Sequence, residues 1–280
     1  VLQGRMADLK RQKDDLIKIA HELHQEAFDA NAYFLIMEQY KKFRKKYKEE
    51  VQLSPAFYGV IYTALQKACF MEIAKLYDGS KYVITIGSLL KECQESIELF
   101  PEYRGTWKVK DHGIEYTFPI PYQHQLRPEE ECFFKERVES QRKIFRLLDT
   151  PSPDTAPVKV DLTFPQFLEL YQKRFRSLRK KQEKIRIQRN KIYAHNDAER
   201  IQNIDAIIQE HPISYSDIQE LIQFALDSTG LIVGSLTDVC EPTQYSNIDD
   251  WEGTLILARL GRKYENYDME QQLKKKRHNL

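Results

Sequence analysis

The nine residues RNKIYAHND, 189 to 197, pair a permanent cation with a titratable ring: Arg189 is followed six positions later by His195. An imidazole with an unperturbed pKa of about 6.5 exchanges protons near neutrality. A guanidinium offers a planar, always-charged fork that matches carboxylate or phosphate. Both heads in one cleft would suit proton transfer beside a developing negative charge. Arg189 is set where an apolar seam runs, through Phe164, Leu168, Tyr171, Phe175, Leu178, Gln182, Ile185, Arg189 and Ile192 at alternating spacings of four and three. A guanidinium on a protein-facing seam is costly unless compensated. The compensation could be a carboxylate, a solvated cleft or a ligand phosphate. By ideal helix geometry His195 sits about 9 Å along the axis and roughly 120° around it, within an arginine's reach. The bland reading stands beside this one: a seam arginine usually salt-bridges, and a histidine at a helix end is usually a cap or a filler.

The flanking charge is lopsided. Lys173, Arg174, Arg176, Arg179, Lys180, Lys181, Lys184, Arg186, Arg189 and Lys191 give ten cations against the single Glu183. Such a face is either simply solvated or an electrostatic track for a phosphate backbone. On the second reading Arg179, Lys180, Lys184, Arg186 and Lys191 are the candidate phosphate-backbone contacts. A second basic run, Lys41 to Lys48, could widen the track, diluted by Glu49 and Glu50.

The elements that must position these residues read as helices. Periods of 3.6 dominate, and only 10 glycines interrupt 280 residues. One amphipathic helix is predicted from about 5 to 29, carrying Leu9, Leu16, Ala20 and Leu23, and a second from about 31 to 50. The stretch SPAFYGVIYTALQKACFMEIAKLYDGS gives the strongest signal, with Ser54 as N-cap, Pro55 at the first helical position and Gly79 as stop. Its apolar residues nearly encircle it, which predicts the central, most buried helix. TIGSLLKECQESIELF follows as a shorter one. TWKVKDHGIEYTF alternates around Asp-His-Gly and reads as a β-hairpin. PEEECFFKERVESQRKIFRLL resumes as a helix with an acidic first turn, before the broken linker TPSPDTAP. A helix capped by Thr163 is predicted over 164 to 194. SYSDIQELIQFALDSTGLIVGSL is a further core helix, and WEGTLILARLGRKYENY is a weaker one before a frayed basic tail. The expected organisation is one helical domain over 1–280, with 101–160 inserted in it and 241–280 as C-terminal helix and tail.

Composition bounds the rest. Hydrophobic residues make up 41% and charged residues 30%, in the range of a globular chain. Net charge is +1, so any attraction to nucleic acid must be local. Cys69, Cys93, Cys132 and Cys240 form no C-x-x-C pair, which speaks against a zinc ribbon or disulfide scaffold and fits a reducing compartment. The opening VLQGRMADLKRQKDD lacks the apolar centre of a secretory signal, and Met6 is a candidate natural start. No apolar run approaches the roughly 18 residues of a membrane span. The expectation is a cytoplasmic protein with no membrane contact. His21, His24, His112, His124, His211 and His278 show no metal-ligand spacing, so no metal or cofactor is expected.

RNKIYAHND resembles the R-x4-6-H signature of the HEPN superfamily, whose arginine is often followed by a polar residue, here Asn190. MEIAKLYD, a short loop and IGSLLKECQ are similar to the earlier helices of HEPN proteins of the abortive-infection U type. ISYSDIQELIQFALDSTGLIVGSL is similar to the helix that closes that bundle. The likeness covers roughly 5 to 98 and 163 to 240. It implies an all-α, HEPN-like helical bundle, here with a small β-hairpin and helix insertion, that dimerises so that two motifs line one cleft. It further implies a metal-independent endoribonuclease, a toxin or phage-defence effector, with RNA as substrate and an antitoxin or defence-system protein as possible partner. Carried over by position, Arg189 and His195 are the catalytic pair and Asn190 the polar helper. Asp78 is a candidate for orienting a catalytic group, against a reading as a helix-end contact. Tyr193 and Asp197 would shape the cleft. Some HEPN toxins carry, two residues after the histidine, a tyrosine that a partner nucleotidyltransferase modifies; Asp197 stands there, so that control is not implied.

Two other classes compete. A catalytically silent HEPN-like bundle would bind RNA or protein, although a pure scaffold has no need of the Arg/Asn/His set. A DNA-binding or adaptor protein would use the basic track, but no helix-turn-helix signature supports it. The phosphate-cradling glycine loop, H-E-x-x-H and G-x-S-x-G are all missing.

Overall fold

The computed structural model describes residues 2–80, 82–147, 158–194 and 206–278. Helix α1 (Leu2–Lys46) is a single rod where the sequence predicts two helices meeting near residue 30. The reason is phase: Leu16, Ala20, Leu23, Ala27, Ala30, Phe34 and Met37 are all buried at alternating steps of four and three. One seam therefore runs unbroken past the weak helix formers Asp29 and Asn31. After the single turn α2 (Lys48–Val51), helix α3 (Pro55–Leu76) returns along α1.

Helix α3 is not the central helix its composition predicts. Only its second half is buried, at Cys69, Phe70, Ile73, Ala74 and Leu76, while Phe57 and Val60 are exposed. Ser54 stands at the N-cap without a side-chain cap bond, and Pro55 opens the helix as expected. Gly79 is not the stop either. The helix ends at Leu76, because Tyr77 turns inward, is buried, and donates its hydroxyl to the Leu221 carbonyl at 2.6 Å.

Helix α4 (Ile86–Glu95) is capped by Thr85, whose hydroxyl accepts from the Ser88 amide, and a short 3-10 turn, Ile97–Leu99, ends it. Strands β1 (Gly105–Asp111) and β2 (Ile114–Ile120) form the predicted antiparallel hairpin. Asp111 pairs with Ile114, leaving a two-residue turn of His112 (φ 46) and Gly113 (φ 84), the positive-φ pair that a type I′ turn requires. A second small sheet has no counterpart in the sequence reading: β3 (Tyr122–Gln125) pairs antiparallel with β4 (Lys159–Leu162). Between them lie a 3-10 segment, Pro128–Phe134, and helix α5 (Lys135–Leu147). Tyr122, Leu126, Val138, Val158, Val160 and Leu162 join the same core cluster as the helices.

The helix predicted over 164–194 is three pieces. Helix α6 (Phe164–Ser177) ends at Leu178, α7 (Arg179–Gln188) restarts, and a π-helical turn follows over Arg189–Ala194. The seam persists through the break, since Leu168, Tyr171, Leu178, Ile185 and Ile192 are all buried. Helix α8 (Tyr215–Thr237) is the one surrounded on most sides: eleven of its residues are buried, including Ser228 and Thr229, whose hydroxyls donate to carbonyls of their own helix. It packs along α1, where His24 Nδ1 lies 2.8 Å from Thr229 Oγ1. Helix α9 (Glu252–His278) runs far longer than predicted and stays helical through the basic stretch expected to fray. The protein is thus an all-α bundle with a small β insertion. Among the described residues no helix is long and apolar enough to cross a membrane.

Candidate functional site

Arg189 opens the π turn on the seam side of its helix. Asp78, in the loop that leaves α3, meets it: Arg189 Nη2 donates to Asp78 Oδ2 at 2.8 Å. Asp78 Oδ1 accepts from the Ser80 amide at 2.8 Å, so the carboxylate is fixed at both oxygens. Each side chain of the pair is 22% exposed, so the compensation for the seam arginine is a carboxylate at the rim rather than one in dry core. Arg189 Nε is buried and has no hydrogen-bond partner among the described residues. Its neighbours hold the turn: Ile192 is buried, and buried Gln188 donates to the His211 carbonyl at 2.6 Å. A π turn places one more residue in each backbone ring than an α turn. The roughly 120° offset of an ideal helix therefore does not describe the path from Arg189 towards His195.

Asn190 is exposed on that turn, and the backbone of Tyr193 belongs to it. His195 and Asp197 lie outside the described residues, so the pairing of guanidinium and imidazole rests on the sequence.

Beside the ion pair, Tyr77, Gly79, Arg179, Gln182, Glu183 and Arg186 line a cavity of about 220 Å³. Arg179, Gln182, Arg186 and Arg189 recur at steps of three and four, which brings one face of α7 against the loop after α3. Sequence reasoning named Arg179 and Arg186 but missed Tyr77 and Gln182, although the spacing contained Gln182. Tyr77 is a strut rather than an acid: burial pushes its phenol well above the ordinary value. Lys180 is exposed, and Lys184 and Lys191 are half-buried.

The basic track is thinner than the sequence count suggests, because acids from other elements consume it. Arg174 is buried against Glu130, and Lys181 pairs with Asp217 at 2.7 Å and with Glu220. Lys173 pairs with Glu169, whereas Arg186, 3.8 Å from Glu183 on its own helix, keeps half of its side chain exposed and stays available. Partial burial works against the charge of Asp217, but hydrogen bonds from Lys181 and from the Ser214 amide and hydroxyl outweigh it and hold the carboxyl at about 2. The second basic run does not join α7 as one surface: Lys41 sits over the Tyr215 ring, and Lys46 pairs with Glu252 at the start of α9.

A larger cavity, about 500 Å³, lies elsewhere, between α1, α3 and the segment entering α9. Its walls are mostly apolar, with Ile36, Phe57, Ile61 and Leu65 among them and Asp250 as the carboxylate that reaches it. Among the described residues no group of three or more His, Cys, Asp or Glu is placed to hold a metal ion.

An all-α bundle with a small β insertion is the fold that the resemblance implied. Residues 13–254 match the HEPN_AbiU2 family model, described as AbiU2, and the chain belongs to that family. Compared with curated proteins and with solved structures, it finds no match in either set.

Proposed function

We propose that this protein is a metal-independent endoribonuclease of HEPN type. It acts in the cytoplasm as a homodimer, as a toxin or phage-defence effector, with an antitoxin or another defence protein as its partner. The observation that carries this reading is the rim position of Arg189: its guanidinium pairs with Asp78 and stays partly exposed, and the residues on either side of Asp78 line a cavity with Arg179 and Arg186. Family membership supports a ribonuclease or defence role.

RNA brings its own nucleophile, so proton transfer and charge stabilisation suffice. His195 takes the 2′-hydroxyl proton as that oxygen attacks phosphorus. Arg189 offsets the negative charge gathering on the non-bridging oxygens. The 5′-oxygen leaves with a proton from His195 of the partner subunit. The products carry a 2′,3′-cyclic phosphate and a 5′-hydroxyl. Asn190, exposed beside Arg189, would hydrogen-bond the phosphate or the ribose, and Tyr193 and Asp197 would shape the cleft. Arg179, Lys180, Lys184, Arg186 and Lys191 would hold the flanking backbone.

One observation favours a second reading, a silent bundle that binds RNA or protein. Asp78 already occupies one edge of the guanidinium and competes with phosphate for it. Purified protein incubated with total RNA in EDTA separates the two, with Arg189→Ala and His195→Ala beside it. Cleavage by the wild type and by neither variant is expected. Cleavage that survives in both variants, or vanishes on chelation, overturns the catalytic assignment.

A further inference from the structure

Helix α9 is fastened to the body along one side only. Buried Leu255 joins Phe43, Tyr47 and Val51; Glu252 accepts from Tyr47 and Lys46; Arg259 donates to Glu50; and Arg262 pairs with Glu49 at 3.0 Å. Residues 252, 255, 259 and 262 thus share one face. The opposite face carries Leu257, Leu260, Tyr264 and Tyr267, at steps of three, four and three, and each is between 56% and 73% exposed. Apolar groups at heptad spacing on the outer side of a long helix are the pattern of a coiled-coil seam without its partner.

We infer that residues 257–268 of α9 form a parallel, in-register, two-stranded coiled coil with the same helix of a second copy of this chain. With Leu257 at position a and Leu260 at d, Tyr264 and Tyr267 take the next a and d. The flanking g and e positions are then Lys263 and Asp268, both exposed, and the next a and d positions, Gln271 and Lys274, are polar and end the seam. In a parallel pair each g residue faces the partner's e residue five positions later. That sets Lys263 against the partner's Asp268, a pairing opposite in sign. Asp268 accepts from Gln272 within its own helix at 2.9 Å, a contact compatible with this arrangement. An antiparallel pair over the same four apolar residues faces g with g, which sets Lys263 against the partner's Lys263, like charge on like. The parallel register instead stacks leucine on leucine, and the side of α9 that holds each body points away from the seam. Gly261, at an e position, weakens the helix locally. The seam is short, about two heptads, but its first turns are already fixed to the body, which lowers the ordering cost of association.

This inference stands apart from the nuclease reading, and the experiment separates them. The full-length chain is used, with the two exposed cysteines removed as Cys132→Ser and Cys240→Ser. In that background Tyr264→Cys, at an a position, is oxidised beside Met269→Cys, at an outward f position. A disulfide-linked dimer is expected to form readily at 264 and at least about tenfold more slowly at 269. Sedimentation equilibrium of the Leu260→Glu/Tyr264→Glu variant is expected to show a dimer dissociation constant raised at least about tenfold; both sites are exposed, so a retained circular dichroism spectrum is expected. Equal cross-linking at 264 and 269, an unchanged dissociation constant, or a wild-type chain that is monomeric at tens of micromolar overturns the seam. RNA cleavage without the 264 cross-link sinks the seam alone, and the cross-link without cleavage sinks the nuclease reading alone.

Discussion

A guanidinium that shares one edge with a carboxylate has less of its fork left for a phosphate, yet it is also held still. Both effects meet at Arg189 and Asp78, and one substitution tells them apart. Asp78→Asn keeps the shape and the bond from the Ser80 amide but removes the charge that steers Arg189. If Asp78 positions the arginine, the turnover of RNA cleavage is expected to fall about 10- to 100-fold, the scale on which displacing a catalytic group is felt. The KM for RNA should stay level or fall, because a negative charge has left the cleft. A rise in turnover would mean that the carboxylate restrains the arginine rather than aims it, and steady-state kinetics on a short RNA reads the difference. Asp78 was within reach of the sequence because it ends an apolar helix whose corner resembles a known family. Its contact with Arg189 was not, since 111 positions separate the two and no local pattern spans such a gap.

At the scale of the element, α7 decides how much of the basic track is real. Arg179 and Arg186 face the cavity beside the site, whereas Lys181 is already neutralised by Asp217 and Glu220. A cation that releases a counterion on binding contributes about one unit to the salt dependence of affinity, and one buried in an ion pair contributes little. Titration of RNA binding against salt is therefore expected to lose about one unit of slope for Arg179→Ala and for Arg186→Ala, and almost none for Lys181→Ala. Equal losses at all three would return the whole helix to the status of a uniform charged face. The apolar seams of α1, α6 and α7 were legible because a period of 3.5 to 3.6 is written into consecutive residues. The break at Leu178, the π turn at Arg189 and the pairing of β3 with β4 were not. Each depends on what packs from a distant part of the chain, as when the strand at 159–162 finds its partner at 122–125. For the same reason the exposed half of α3 misled: composition reports how apolar a helix is but not how far it extends past its neighbours.

Across the whole molecule, charge stitches the insertion to the helices that carry the motif. Glu130, buried in the segment before α5, accepts from the Arg127 amide at 3.0 Å, lies 2.8 Å from His124 Nε2, and receives Arg174 Nη1 at 3.4 Å. Arg174 is itself buried on α6, its Nε and Nη2 lack hydrogen-bond partners among the described residues, and Glu129 and Glu220 stand 4.0 Å away. Burial works to raise the Glu130 carboxyl, but the bonds from His124 and Arg127 outweigh it, and the group ends below its ordinary value. A carboxylate whose folded pKa is depressed stabilises the fold fully above the unfolded value of about 4.3 and loses that contribution as pH falls through the folded one. Glu130→Gln removes the charge and leaves a buried guanidinium largely uncompensated, a change that costs about 3 to 5 kcal/mol when one partner of a buried pair is deleted. Urea unfolding at pH 7 should show that loss. The gap between wild type and variant should then narrow below about pH 4, as Glu130 of the wild type takes up its own proton. A gap that persists unchanged at pH 3 would assign the effect to shape rather than charge. Because α6, which carries Arg174, runs directly into α7, the variant is also expected to loosen α7, which faster amide exchange there than in α1 would register.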